Sequence, residues 1–186
     1  MLQTERLVLR PYVADDAPRV LDILGRPEVV RWLGNPVPMA DLDEALAWIE
    51  LCRRREEDDP FDVSRAIVVR ETGVVVGKVS VNRAHRLDTG LFVGEYETGW
   101  WLHPDAAGHG YATEAARALL DDLFARGLPE VWCGMYVDNA ASARVAERLG
   151  LPFLGVQQDP WYEGESRLYR VSAGDWLAGS PSASGS

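Results

Sequence analysis

The stretch that decides the fold opens with Gly94-Glu95-Tyr96-Glu97-Thr98-Gly99-Trp100-Trp101-Leu102. It continues through the loop 103–107 into Gly108-His109-Gly110-Tyr111-Ala112-Thr113-Glu114-Ala115 and runs on to Gly150. The first nine residues, aromatic and threonine-containing, read as a strand, with Gly99 as a bulge or close-approach point. Past the glycines, apolar residues at 112, 115, 116, 119, 120, 123 and 124 keep the 3.6-residue period of an amphipathic helix, which Gly127 and Pro129 stop. A glycine-bearing turn thus opens a helix. The first turn of a helix carries unpaired N–H groups and a partial positive charge, and both favour an anion. The amides of Gly108, His109, Gly110, Tyr111, Ala112 and Thr113 are therefore candidates to cradle a pyrophosphate without a lysine; Lys78 is the only lysine in the chain. The plainer alternative is that the glycines only permit a tight turn.

Working outward, Glu130 to Val137 reads as a buried strand, and Asp138 to Gly150 as a capped helix ending in glycine. The order strand, Gly-His-Gly-Tyr-Ala-Thr-Glu-Ala helix, strand, then Asn139-x-x-Ser142-x-Arg144-Val145-x-Glu147-Arg148-Leu149-Gly150 resembles the acetyl-CoA core of the GNAT superfamily of N-acetyltransferases. Within it, the chain is most similar to the branch of the ribosomal-protein N-terminal acetyltransferases RimJ and RimL. Thr4-Glu5-Arg6-Leu7-Val8-Leu9-Arg10-Pro11 resembles that branch's opening strand, so the similarity spans about residues 3 to 172. Two positions depart from the superfamily pattern. Ala107 stands where the phosphate loop usually begins with Gln or Arg, and Ala146 where many members place a tyrosine as general acid.

The resemblance implies an α+β, α/β/α fold: a single mixed, mostly antiparallel sheet splayed between its fourth and fifth strands, with helices on both faces. It implies transfer of an acetyl group from acetyl-CoA, as co-substrate and without a metal, to a primary amine. Acetyl-CoA would bind through the loop 108–113, the backbone of Trp101, Leu102 and His103 facing the pantetheine arm, and Asn139 and Ser142. Ser142 takes the part of the missing tyrosine and offers its hydroxyl to the leaving thiolate; Asn139 serves as helix cap, as pantetheine contact, or as both. Glu97 corresponds to the strand glutamate of the branch and is the candidate general base, with Glu95, two residues away on the same strand face, as its alternate. Trp32, Glu95 and Trp161 are candidate acceptor contacts. Holding a lysine amine neutral at pH 7 costs about 4–5 kcal/mol against about 1–1.5 for an α-amine, so a remote or water-mediated base suffices for the latter.

Composition bounds the rest. The 186 residues fit one domain, expected over 1–178, with a disordered tail over 179–186. A formal net charge of −10 argues against nucleic-acid binding and fits cationic partners such as amines. No apolar run is long enough for a membrane span and no leader is legible, which makes the cytoplasm the expected location. Cys52 and Cys133 read as buried free thiols.

Around the core, 6–10 reads as a strand, 15–24 and 41–57 as helices, and 31–38 as a proline-broken loop. Residues 63–70 and 74–83 read as a hairpin, and 153–157 and 166–172 as two closing strands joined by Asp159 to Gly164, whose aromatics overhang the cleft or only close the turn. Two rival functions stay open: a GNAT-fold acyl-CoA sensor or interaction module without turnover, and a dinucleotide-binding domain. The second lacks the third glycine and the acidic residue about 20 positions on that Rossmann units use. The acceptor, whether protein α-amine, amino acid, polyamine or aminoglycoside, and the existence of a homodimer are left open.

Overall fold

The computed structural model describes residues 1–179. Eight strands, β1 (Leu2–Gln3), β2 (Leu7–Arg10), β3 (Val63–Val69), β4 (Val75–His85), β5 (Phe92–Leu102), β6 (Glu130–Tyr136), β7 (Phe153–Gln158) and β8 (Glu165–Ser172), form one sheet in the order β1-β2-β3-β4-β5-β6-β8-β7. Every neighbouring pair is antiparallel except β5 and β6, which run parallel. That parallel pair meets only at Glu97 and Trp132. Beyond that point the two strands part, so the sheet is splayed where the resemblance implied.

Alternation of side chains along the strands feeds two cores. Leu7, Leu9, Val79 and Val81 pack against α4 (Tyr111–Ala125), which buries Ala112, Ala115, Ala116, Leu119, Leu120, Leu123 and Phe124, the residues expected from the helical period. Helix α5 (Ala140–Leu149) joins this core through Ala143, Ala146 and Leu149. On the opposite face Ala66, Val68 and Trp101 pack against α1 (Ala17–Leu24), α2 (Pro27–Val30) and α3 (Leu42–Asp58). Ala146 is fully buried, so the position without the tyrosine is a core position here.

Several details differ from the sequence reading. The short β1 and α2 went unread, and β5 begins at Phe92, ahead of the strand expected from Gly94. A seven-residue helix, α6 (Ala173–Gly179), follows β8 and buries Trp176 against Phe124, so Gly179 closes a helix instead of opening a tail. The rest of the expected tail, 180–186, lies outside the described residues. Gly99 is not a bulge: it pairs in register with Ser80, and the β4–β5 irregularity falls between Arg83 and His85. Cys52 and Cys133 are free thiols; Cys133 is buried and Cys52 half-buried. Among the described residues, no helix is long and apolar enough to cross a membrane, and no group of His, Cys, Asp or Glu is arranged to hold a metal ion.

Candidate active site

Where β5 and β6 part, a cavity of about 1010 Å³ opens, and it has two differently built ends. At one end lie Gly108, Gly110, Tyr111, Ala112 and Thr113. Gly110 is the residue before α4 and has φ +81°, with Gly108 at +82°; residues with a Cβ avoid this left-handed region, so the glycines are needed to aim the loop. The Ala107 amide bonds to the Pro104 carbonyl and the Glu114 amide to the Gly110 carbonyl. Between them the amides of 108 to 113 donate to nothing among the described residues. Thr113 Oγ1 is buried there and also has no partner among the described residues. An orphaned buried hydroxyl beside a row of orphaned amides fits an anionic ligand with several acceptor oxygens.

The loop is braced from far away in sequence. Glu114 Oε1 accepts from Thr4 Oγ1 at 2.6 Å and from the Arg6 amide at 3.0 Å; Arg6 Nε donates to Glu114 Oε2 at 2.7 Å. Arg6 Nη1 donates to the His109 carbonyl at 3.0 Å. Burial would raise the Glu114 carboxyl, but these donors outweigh it and hold the group below its ordinary value. The turn between β1 and β2 therefore fixes the first turn of α4.

The exposed edge of β5 forms the wall of the same end. The His103 amide donates to the Val76 carbonyl at 2.8 Å, toward β4. By strand alternation, the backbone groups of Trp101 also face β4, whereas those of Trp100 and Leu102 face the open edge left by β6. Ser142 and Asn139 line the cavity from α5. Asn139 is buried and its Oδ1 accepts from the Ser142 amide at 3.1 Å, which is the cap; the Ser142 hydroxyl has no partner among the described residues.

The other end is built of side chains. Glu97 Oε1 accepts from the Gly134 amide at 3.3 Å, and Oε2 from the Tyr162 hydroxyl at 2.9 Å. Burial, helped by the nearby Asp159 charge, pushes the Glu97 carboxyl up to about 7, against the pull of Tyr162, Gly134 and Lys78. Asp159 is buried; its Oδ1 accepts from the amides of Trp161 and Tyr162 at 2.8 and 3.0 Å, while Oδ2 has no partner among the described residues. These bonds set the loop that carries Tyr162 over Glu97. The Tyr162 ring also lies on Gly34, where a Cβ would come within 2.6 Å of Cε1. Trp32 lines the same wall, 6.5 Å from Tyr136 between ring centroids and under the Arg31 guanidinium at 4.5 Å. Gly99 lies on the floor, where a Cβ would meet nothing within 4 Å, so the glycine keeps the floor open.

Most of the candidates from sequence meet in this cavity, but not all. Glu97, Trp32, Trp101, Leu102, Gly108, Gly110, Tyr111, Ala112, Thr113, Asn139, Ser142 and Trp161 line it. His109 does not: it is exposed and stacks on Tyr111, 5.5 Å between centroids. His103 turns away into α1, with Nδ1 accepting from the Asp105 amide at 3.2 Å and Nε2 at 3.5 Å from Asp22 Oδ2. Glu95 is ion-paired to Arg86 and accepts from Trp161 Nε1 at 2.8 Å, so this pair is bonded to each other. Trp161 is 5 % exposed and packs on Trp132; the overhanging aromatic is Tyr162, which sequence reasoning did not single out. Nor did it place Arg55, Lys78 and Arg83 in this wall, although the overall charge is negative and fits cationic partners. The pairing of Lys78 with Trp101 and of Asn82 with Glu97 decides that, and it is a matter of register.

Comparison with known proteins agrees with the geometry. Residues 6–152 match the family described as acetyltransferase (GNAT) domain. The chain is 26% identical over 171 residues to the uncharacterized N-acetyltransferase p20 of Bacillus licheniformis, covering 91% of this chain and 92% of that protein. It is 31% identical to a crystallised acetyltransferase from Agrobacterium tumefaciens, with a TM-score of 0.71 and coverage of 91% and 92%. RimL, the ribosomal L7/L12 alpha-N-protein acetyltransferase solved with coenzyme A, shares the fold at a TM-score of 0.75, 18% identity and coverage of 91% and 95%.

Proposed function

The chain belongs to the acetyltransferase (GNAT) family, and from that premise we propose that it moves the acetyl group of acetyl-CoA to a primary amine by direct attack in a ternary complex. The observation that carries this reading is the convergence, in one cavity, of an unpartnered amide row with a carboxylate pushed up to about 7. The coenzyme A in the solved RimL complex supports the same donor here.

In this reading the amides of 108 to 113 and Thr113 Oγ1 hold the diphosphate, and the open backbone edge at Trp100 and Leu102 takes the pantetheine amides as an added strand would. Bound there, acetyl-CoA supplies the thioester carbonyl that the amine attacks. Glu97 takes a proton from the amine, a task suited to a carboxyl that titrates near neutral pH. Tyr162 orients that carboxylate through its hydrogen bond. Ser142 offers its free hydroxyl to the departing thiolate, and a backbone amide on the open edge of β5 stabilises the developing oxyanion. The acceptor amine is either a protein N-terminal α-amine or that of a small molecule.

The test is to incubate the purified chain with acetyl-CoA and a panel of amines and follow free thiol. Release of CoA that depends on the amine is expected. A chain that binds acetyl-CoA and releases no thiol above background is an acyl-CoA sensor, and the proposal fails.

A further inference from the structure

Resting on that reading and narrowing it, we propose that the acceptor is a small molecule whose amine is accompanied by an anionic group, carboxylate or phosphate, received by Lys78 and Arg55 at the far end of the cavity. Three observations carry this. Lys78 points its ammonium into the chamber from β4, 5.7 Å from the centroid of the Trp48 ring, and forms no ion pair with any described residue. The groups that face it are Cys52 and Arg55 of α3, Asp62, and Glu97 of β5. Asp62 is already committed to Asn82 Nδ2 at 2.7 Å and to the Arg83 amide at 3.3 Å, and Glu97 to Tyr162 and Gly134. Arg55, on the same wall, also has no ion pair among the described residues. A half-buried ammonium and a guanidinium that face one chamber with no carboxylate in direct ion-pair contact repel one another, and an arriving anion would relieve that repulsion. Burial, with the Arg55 charge beside it, pulls the Lys78 ammonium below the ordinary lysine range although Cys52, Asp62 and Glu97 pull the other way.

The second observation is the spacing. Lys78 stands opposite Trp101 and Asn82 opposite Glu97, so the two charged residues are four positions apart along neighbouring strands on one sheet face. That is roughly 13 Å between backbones, shortened by two long side chains that converge in the chamber. An amine at Glu97 and an anion a few bonds away at Lys78 match this arrangement; a polyamine would put its second cation beside Lys78 and Arg55.

The third observation is the roof. Tyr162 rests on Gly34 and is bonded to Glu97, and its loop is tied to the β4–β5 turn by the Leu87 amide donating to the Pro160 carbonyl at 2.8 Å. A roof held over Glu97 by these contacts narrows the approach to the carboxylate, which suits a small molecule better than a bulky protein end.

Matched acceptors test the proposal: amino acids against their amides, and aminoalkylphosphonates against plain alkylamines. The anionic member is expected to have a kcat/KM higher by about tenfold or more, the worth of one charge-assisted contact. Lys78→Met, which keeps the volume, and Arg55→Ala, on an exposed helix face, should each bring the ratio toward one, and Lys78→Arg should restore it. Calorimetry with N-acetylated amino acids and their amides reads the same preference without turnover. Preference for the anionic product with no turnover of any amine would uphold this inference and sink the proposed function. Turnover without that preference, or loss of both acceptors in equal proportion in Lys78→Met, would overturn the inference and leave the function standing.

Discussion

The two ends of the cavity are made from different materials. The end by α4 is a row of main-chain amides whose direction is set by two left-handed glycines and braced by Arg6 and Glu114. The opposite end consists of side chains, Glu97, Tyr162, Lys78 and Arg55, brought together from β4, β5, α3 and the β7–β8 loop. Amides carry no titratable charge, so the first end is indifferent to pH and to most side-chain replacements. The second depends on burial and on charge, and each of its residues can be altered singly.

Replacing Glu97 is the strongest way to separate the two ends. Glu97→Gln is expected to lower kcat by about 10²- to 10⁴-fold while coenzyme A affinity, measured by calorimetry, holds. The parent enzyme should gain rate as pH rises through about 7, where the Glu97 carboxyl loses its proton, and the variant should lack that limb. A parallel loss of coenzyme A affinity would mean that the ends are not independent.

Ser142 sits on the border between them. Ser142→Ala should cost about 10- to 100-fold in turnover, with a smaller change in coenzyme A affinity. Equal loss of both would make the serine a binding contact only. Changing the backbone at the other end should have the inverse signature: Gly110→Val forces a β-branched residue to φ +81°, a strain of about 1–2 kcal/mol, and should weaken coenzyme A about tenfold. Rates at saturating coenzyme A should then recover most of their value.

The smallest effect is on stability, and its sign is diagnostic. A carboxyl whose native pKa is raised binds its proton more tightly when folded, so its favourable contribution is complete below the unfolded value near 4.5. It is lost as pH rises through about 7. Glu97→Gln should therefore raise the melting temperature more at pH 8 than at pH 5. A variant that is less stable at pH 8 would show that Glu97 is held by its donors more than it is penalised by burial.

The α4 end was legible in the sequence, because a glycine turn, a helical period and a cap are all written in contiguous residues. The helix buries the seven apolar positions that its spacing selects, and Asn139 caps α5 as its place before the periodic run suggests. The short pieces β1, α2 and α6 escaped, since two to seven residues hold no period to read. At the other end Glu97 was found and Tyr162 was not. Trp161 and Tyr162 are adjacent aromatics in one loop, and only the Asp159 turn decides which is buried against Trp132 and which reaches the carboxylate.

The sequence by itself determined the family, the order of the longer elements and the glycine turn that opens α4, because local conformational preference and period act over neighbouring residues. Only the tertiary structure decided that the single lysine of an acidic chain faces the chamber with Arg55, that His103 and His109 turn out of it, and that Glu95 is spent on Arg86 and Trp161. Strand register and the packing of distant loops fix those choices. The alternation of Val79 and Val81 with Lys78, Ser80 and Asn82 picks the face of Lys78, but its standing opposite Trp101 and near Glu97 is set by how two distant strands pair.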